Sequence, residues 1–154
     1  MNPIAIARNT FKRNYTHHEG VYNINIYLLR LLYALMFVFV TFPAWKVLLN
    51  QSHSMNNTEV AAWCMWGSYA LISILGVFRP LKMLPIILFE IIYKITWLAV
   101  VAYPLWINDE LHGSSVEART NDFLWVILPI IAMPWQYFIR VYILGKPLSL
   151  GNNG

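Results

Sequence analysis

Four long apolar runs, parted by short polar stretches, set the pattern of this chain. About 20 apolar residues cross the core of a bilayer as a helix, and each run reaches roughly that length. The first covers 27–49, with Arg30 and Lys46 near enough to its ends to extend their charged heads to the interface. The second, 60–78, is uncharged. The third, 83–107, is interrupted only by Glu90 and Lys94, and the fourth, 123–144, carries Arg140 near its end. The pattern predicts an all-α fold, a four-helix transmembrane bundle over 27–144. A basic N-terminal segment (1–26) precedes it and a short tail (145–154) follows. The link R-P-L-K at 79–82 is so short that the second and third spans must be antiparallel neighbours.

Lysine and arginine positions predict the orientation, because cytoplasmic loops carry an excess of them. Arg8, Lys12, Arg13, Arg30, Arg79, Lys82, Arg140 and Lys146 fall on one side, and Lys46 and Arg119 on the other. The loop N-D-E-L-H-G-S-S-V-E-A-R-T-N-D at 108–122 sets Asp109, Glu110, Glu117 and Asp122 against Arg119. Both termini and the 79–82 link are therefore expected in the cytoplasm. Trp45, Trp63, Trp66, Trp106 and Trp125 cluster at the opposite ends of their spans, where interfacial aromatics concentrate; Tyr27, Phe78 and Tyr142 serve the inner face.

Composition agrees. The chain is 58% hydrophobic and 12% charged with a mean hydropathy of +0.51, whereas a soluble domain carries about 25% charged residues. The net charge of +4 does not point to nucleic acid, because the basic residues sit beside apolar segments and do not line one polar face. One cysteine, Cys64, excludes an intramolecular disulfide. The first 20 residues lack the apolar core and cleavage site of a secretory signal, so the first apolar run is expected to stay as an anchor.

The remaining local features read as structure. Gly67, Ala70, Ser73 and Gly76 line the second span with small residues, a surface that lets another helix approach closely. Pro129 and Pro134 each remove a backbone hydrogen bond and can bend the fourth span. No internal repeat is convincing, although both hairpins share an in-out-in path. His17, His18, His53 and His112 all lie outside the spans, so the bundle offers no axial histidines for haem. Phosphate loops, nucleophile elbows and zinc-protease motifs are missing, as is C-x-x-C. No cofactor, resident metal or enzymatic activity is expected. N-Y-T at Asn14 and N-N-T at Asn56 matter only in a glycosylating compartment.

One feature carries chemistry. Glu90 and Lys94 are spaced four apart and share a helix face near the middle of the apolar layer. Facing lipid, each charge would cost about 2.5–3.5 kcal/mol, so the face bearing Glu90, Tyr93, Lys94 and Trp97 is expected to point inward. Counting by depth places Gln136, Arg140 and Arg30 within reach, forming a candidate polar cluster of Glu90, Lys94, Gln136, Arg140 and Arg30. An ion pair that fixes which faces meet is one reading. A proton or ion relay, or a site for an anionic headgroup or substrate, is the other.

The stretch G-V-F-R-P-L-K-M-L-P-I-I-L-F-E-I-I-Y-K-I-T-W-L-A-V-V-A-Y-P-L-W, 76–106, resembles a group of uncharacterised small bacterial multi-pass inner-membrane proteins. P-L-K-M-L-P, followed by Phe89-Glu90 and by Lys94 with Trp97-Leu98, carries the likeness. The resemblance implies a bacterial inner membrane and no assigned activity. The expectation is a non-enzymatic subunit in the lipid bilayer, an accessory to a larger membrane complex or a homo-oligomer, docking through the small-residue face of the second span. The alternative is an oligomeric transporter or channel that moves a proton or small solute past Glu90 and Lys94.

Overall fold

The structure, a computed structural model, describes residues 13–14 and 20–146. Most of the basic N-terminal segment, His17 and His18, and the tail beyond Lys146 lie outside the described residues. The fold is all-α. Its helices are α1 (Asn23–Met36), α2 (Phe42–Gln51), α3 (Asn57–Phe78), α4 (Leu84–Trp97), α5 (Tyr103–Ile107), α6 (Glu117–Leu124), α7 (Ile127–Ala132) and α8 (Trp135–Phe138). Wider π turns over Phe37–Thr41 and Leu98–Ala102 join α1 to α2 and α4 to α5, and a third, Ile139–Ile143, follows α8. A two-residue antiparallel pairing sets Arg13 against Tyr22 and Asn14 against Val21.

Three continuous helical stretches are long and apolar enough to cross a membrane: Asn23–Gln51, Asn57–Phe78 and Leu84–Ile107. The broken pair Glu117–Ala132 and Trp135–Ile143 makes a fourth if counted as one span. This is consistent with an integral membrane protein. The breaks have local causes. Pro129 stands third in α7, where Leu128 N–H takes the Trp125 carbonyl at 3.0 Å, so the missing proline N–H costs no bond there. Pro134 is the effective breaker: Met133 before it is extended at ψ 120°, as sterics with the proline ring demand, and α8 restarts after it.

The described residues form two compact units, one of residues up to Leu84 with those from Pro134 onward, the other Pro85–Met133. In the first unit, α3 begins three residues before its apolar run because Asn56 caps it. Asn56 Oδ1 accepts from Glu59 N–H at 2.9 Å, and the Glu59 carboxylate accepts from Asn56 N–H at 3.3 Å. The small residues Gly67, Ala70, Ser73 and Gly76 are all buried. They are packed within the chain: Gly67 lies against Ala44, Trp45 and Leu48, and Gly76 against the Tyr33 ring. Ser73 Oγ donates to the Tyr33 carbonyl at 3.2 Å and to that of Ala70. The face expected to dock a partner is thus already filled by the first span, because small residues admit whichever helix reaches them first and the hairpin partner is tethered.

The first two π turns reveal a repeat hidden in the sequence. Val40-Thr41-Phe42-Pro43-Ala44-Trp45 and Val101-Ala102-Tyr103-Pro104-Leu105-Trp106 share valine, aromatic, proline and tryptophan at matching places, and each π turn ends two residues before its proline. Proline cannot donate to the carbonyl four residues back. The π pattern, seen where Tyr103 N–H reaches back to the Leu98 carbonyl, reroutes the ladder just ahead of it.

Candidate intramembrane site

Helix α4, L-P-I-I-L-F-E-I-I-Y-K-I-T-W, buries Leu84, Ile87, Glu90 and Ile91 at three- and four-residue intervals. Glu90 lies about 9 Å and Lys94 about 15 Å along the Leu84–Ile107 stretch, so both sit well inside an apolar helix long enough to cross a membrane. Lys94 Nζ donates to Glu90 Oε1 at 2.6 Å, and the two side chains are 13% and 7% exposed. Opposite charges one turn apart, glutamate first, make this the favourable order along a helix. The short, charge-assisted bond leaves the pair without net charge.

Phe123 of α6 closes over the lysine within the same unit. Its ring centroid lies 5.9 Å from Lys94 Nζ. The ring is held edge-on by Tyr93, at 5.5 Å between centroids, and by Trp97, at 5.0 Å. Arg119, one turn before Phe123, places its guanidinium carbon 6.0 Å from the same centroid. Cation–π attraction of this kind is worth about 0.5–2 kcal/mol depending on desolvation. The depth count from α4 overlooked Phe123 and Arg119. Their four-residue spacing in R-T-N-D-F was the available signal, obscured by their position at the boundary between loop and span.

Glu90 Oε2 is shielded and has no hydrogen-bond partner among the described residues. A buried acceptor left unpaired costs about 1–3 kcal/mol, so a proton or donor that reaches this oxygen relieves a cost of that order. Of the other candidate residues, Arg30 on α1 and Gln136 on α8 are exposed, and Arg140 in the last π turn is half-buried. Arg140 Nε is likewise shielded and, among the described residues, unpartnered. Among the described residues, the ion pair joins Glu90 to Lys94, and no side-chain hydrogen bond or ion pair engages Arg30, Gln136 or Arg140. No group of three or more histidine, cysteine, aspartate or glutamate side chains placed to hold a metal occurs among the described residues.

Outside the candidate spans, the 108–116 loop is closed by Glu117, whose carboxylate accepts from Gly113 N–H at 2.8 Å and meets His112 Nδ1 at 3.0 Å. The Gly113 N–H bond, then His112, holds the Glu117 carboxyl below the ordinary carboxylate range. Asp109 and Gly113 supply the left-handed conformations of this loop, with φ of 55° and 77°. The chain matches no family model, no curated protein and no solved structure.

Proposed function

We propose that this chain is a small multi-pass protein of the bacterial inner membrane, a four-span bundle with both termini cytoplasmic. In this reading Glu90 and Lys94 relay protons through the apolar layer of an oligomeric transporter or channel. The observation that carries it is Glu90 Oε2, buried in an apolar helix, unpartnered, beside a lysine that already holds the other oxygen. Intramembrane ionisable groups concentrate on ion and proton pathways. A proton taken up at Oε2 and another released from Nζ leave a neutral acid–amine pair. Passage of the acid proton to the amine then restores the starting charges. The inner-membrane assignment rests on the resemblance over 76–106, and the topology on eight cations against two.

Proton flux into liposomes holding the purified protein, driven by a potassium diffusion potential and read with a pH-sensitive dye, tests the relay. The expected result is uptake by the native chain and background uptake by Glu90→Gln.

A second reading, an accessory or self-associating subunit with an architectural pair, is favoured by the closure of the pair within a single helix at 2.6 Å. Removing one partner of a buried pair costs about 3–5 kcal/mol, whereas removing both can be nearly neutral. Absence of flux in the native chain, together with a Lys94→Met variant that is less stable than Glu90→Leu/Lys94→Met, would replace the relay by this reading.

A further inference from the structure

Two tyrosine hydroxyls hold the link between α3 and α4. Tyr33 Oη donates to the Pro80 carbonyl at 3.1 Å, and Tyr142 Oη donates to the next carbonyl, Leu81, at 2.7 Å. The link is itself a tight turn, since the N–H groups of Lys82 and Met83 both reach the Arg79 carbonyl, at 3.1 and 3.3 Å. All of these residues belong to the first compact unit. The two bonds therefore bring the first span, the link and the last span to one level at one end of that unit.

Basic side chains collect at this level. Arg79 and Lys82 flank the clamped carbonyls, Arg140 stands two residues before Tyr142, and Arg30 one turn before Tyr33. Among the described residues nothing acidic pairs with them. No aspartate or glutamate occurs in 20–58, in 60–89 or after Asp122, and among the described residues none of these four cations makes an ion pair. Arg79, Lys82 and Arg30 are exposed, while Arg140 is half-buried with its Nε shielded and unbonded.

We propose that Arg79, Lys82 and Arg140 form a binding site for the phosphate group of an anionic phospholipid. A phosphate diester offers two charged oxygens, and a guanidinium presents paired donors in a matching fork. Lys82 adds a point charge on the exposed side of the link, and Arg30 extends the positive field. Arg140 supplies the specificity: its Nε, enclosed by protein, has no acceptor among the described residues, and a phosphate oxygen would supply one. Basic pockets between spans at a membrane surface are suited to such headgroups. The site lies apart from Glu90 and stands or falls without the relay.

Native mass spectrometry of the full chain, with phosphatidylglycerol and phosphatidylcholine of the same acyl composition titrated into the detergent, tests the proposal. Phosphatidylglycerol is expected to bind at least about tenfold more tightly. Each cation near the surface is worth about a fivefold change in binding. Arg140→Gln and Lys82→Gln should each weaken phosphatidylglycerol by about that factor. Arg140→Lys, which keeps the charge and loses the fork, should fall between Arg140→Gln and the native chain. Lys46→Gln, assigned to the opposite membrane face, should change nothing. Arg79→Gln/Lys82→Gln guards against misfolding, because both side chains are exposed and unpaired. Equal binding of the two lipids, or phosphatidylglycerol binding indifferent to both Arg140→Gln and the link variant, overturns the site. Displacement of the lipid by inorganic phosphate at equal concentration also overturns it, by marking a soluble phosphate compound as the occupant.

Discussion

Gly76 offers the sharpest test of the packing, because the competing effects have opposite signs. An alanine Cβ at this position would fall 2.6 Å from Tyr33 Cδ2 and closer still to Cγ and Cδ1. The ring has nowhere to go. Tyr33 is 0% exposed, its hydroxyl is tied to Pro80, and its carbonyl holds Ser73. Overpacking of this kind costs about 1–3 kcal/mol, and pulling the hydroxyl from Pro80 about 0.5–1.5 kcal/mol more. Against this, alanine for glycine inside a helix gains about 0.5–1 kcal/mol. The net expectation for Gly76→Ala is a loss of about 0.5–4 kcal/mol. Gly67→Ala is the control: its nearest neighbour, Trp45 Nε1, would lie at 3.4 Å, an ordinary contact, so the variant should be neutral or slightly more stable. Reversible unfolding in mixed detergent micelles, followed by tryptophan fluorescence, measures both. Removing the ring with Tyr33→Leu should shrink the Gly76→Ala penalty, since the two changes share one contact. A Gly76→Ala protein as stable as the native one, or a penalty unchanged in the Tyr33→Leu background, would refute the proposed contact.

Two further expectations concern the chain outside the apolar layer. In a Cys64→Ser background, a cysteine at Ser115 should react with an impermeant reagent from outside intact cells and one at Lys82 should not; the reverse labelling would invert the proposed topology. At the 108–116 loop, the sign follows from the lowered Glu117 value. A depressed carboxyl contributes its stabilisation fully above its ordinary value of 4.5 and loses it as pH falls through the lowered one. The Gly113 amide resonance should therefore titrate below 4.5 and move upward in His112→Ala. A midpoint at or above 4.5 in the native chain would sever that link.

Apolar run length made the helices legible, since few other arrangements satisfy so many backbone groups in so apolar a chain. Helix starts were less so: Asn23 and Asn57 precede their apolar runs, and only the N-cap at Asn56 explains the second extension. The π turns left no trace in hydropathy. Residues 98–102 are uniformly apolar and 37–41 nearly so, which gives periodicity no phase to report. Glu90 and Lys94 stood out because charge is rare in such a helix. Phe123 did not, because its place over Lys94 depends on how α6 packs against α4, which spacing along one chain does not encode. The small-residue face of α3 was legible as a close-packing surface, while its occupant was decided by tethering.

The π turns also govern which changes of length the chain can absorb. Buried positions on the first span advance by three or four residues, Ile26, Leu29, Tyr33 and Met36, then by five to Thr41 and three to Ala44. At about 100° per residue, five residues of plain α-helix overshoot a full turn by roughly 140°; the wider turn takes up the surplus. A chain that lost one residue from 37–41 would close into ordinary helix with four residues from Met36 to the next buried position, about 400°, and would keep Thr41 and Ala44 within roughly 40° of the face that carries Tyr33. The same loss in the loop around Ser54 would only shorten a connection. The interval from Ile26 to Pro43 equals that from Ile87 to Pro104. In any descendant of this chain, an insertion or deletion in the plain α-helical part of either span is therefore a change of helix face, whereas the loss of one residue within a π turn is not.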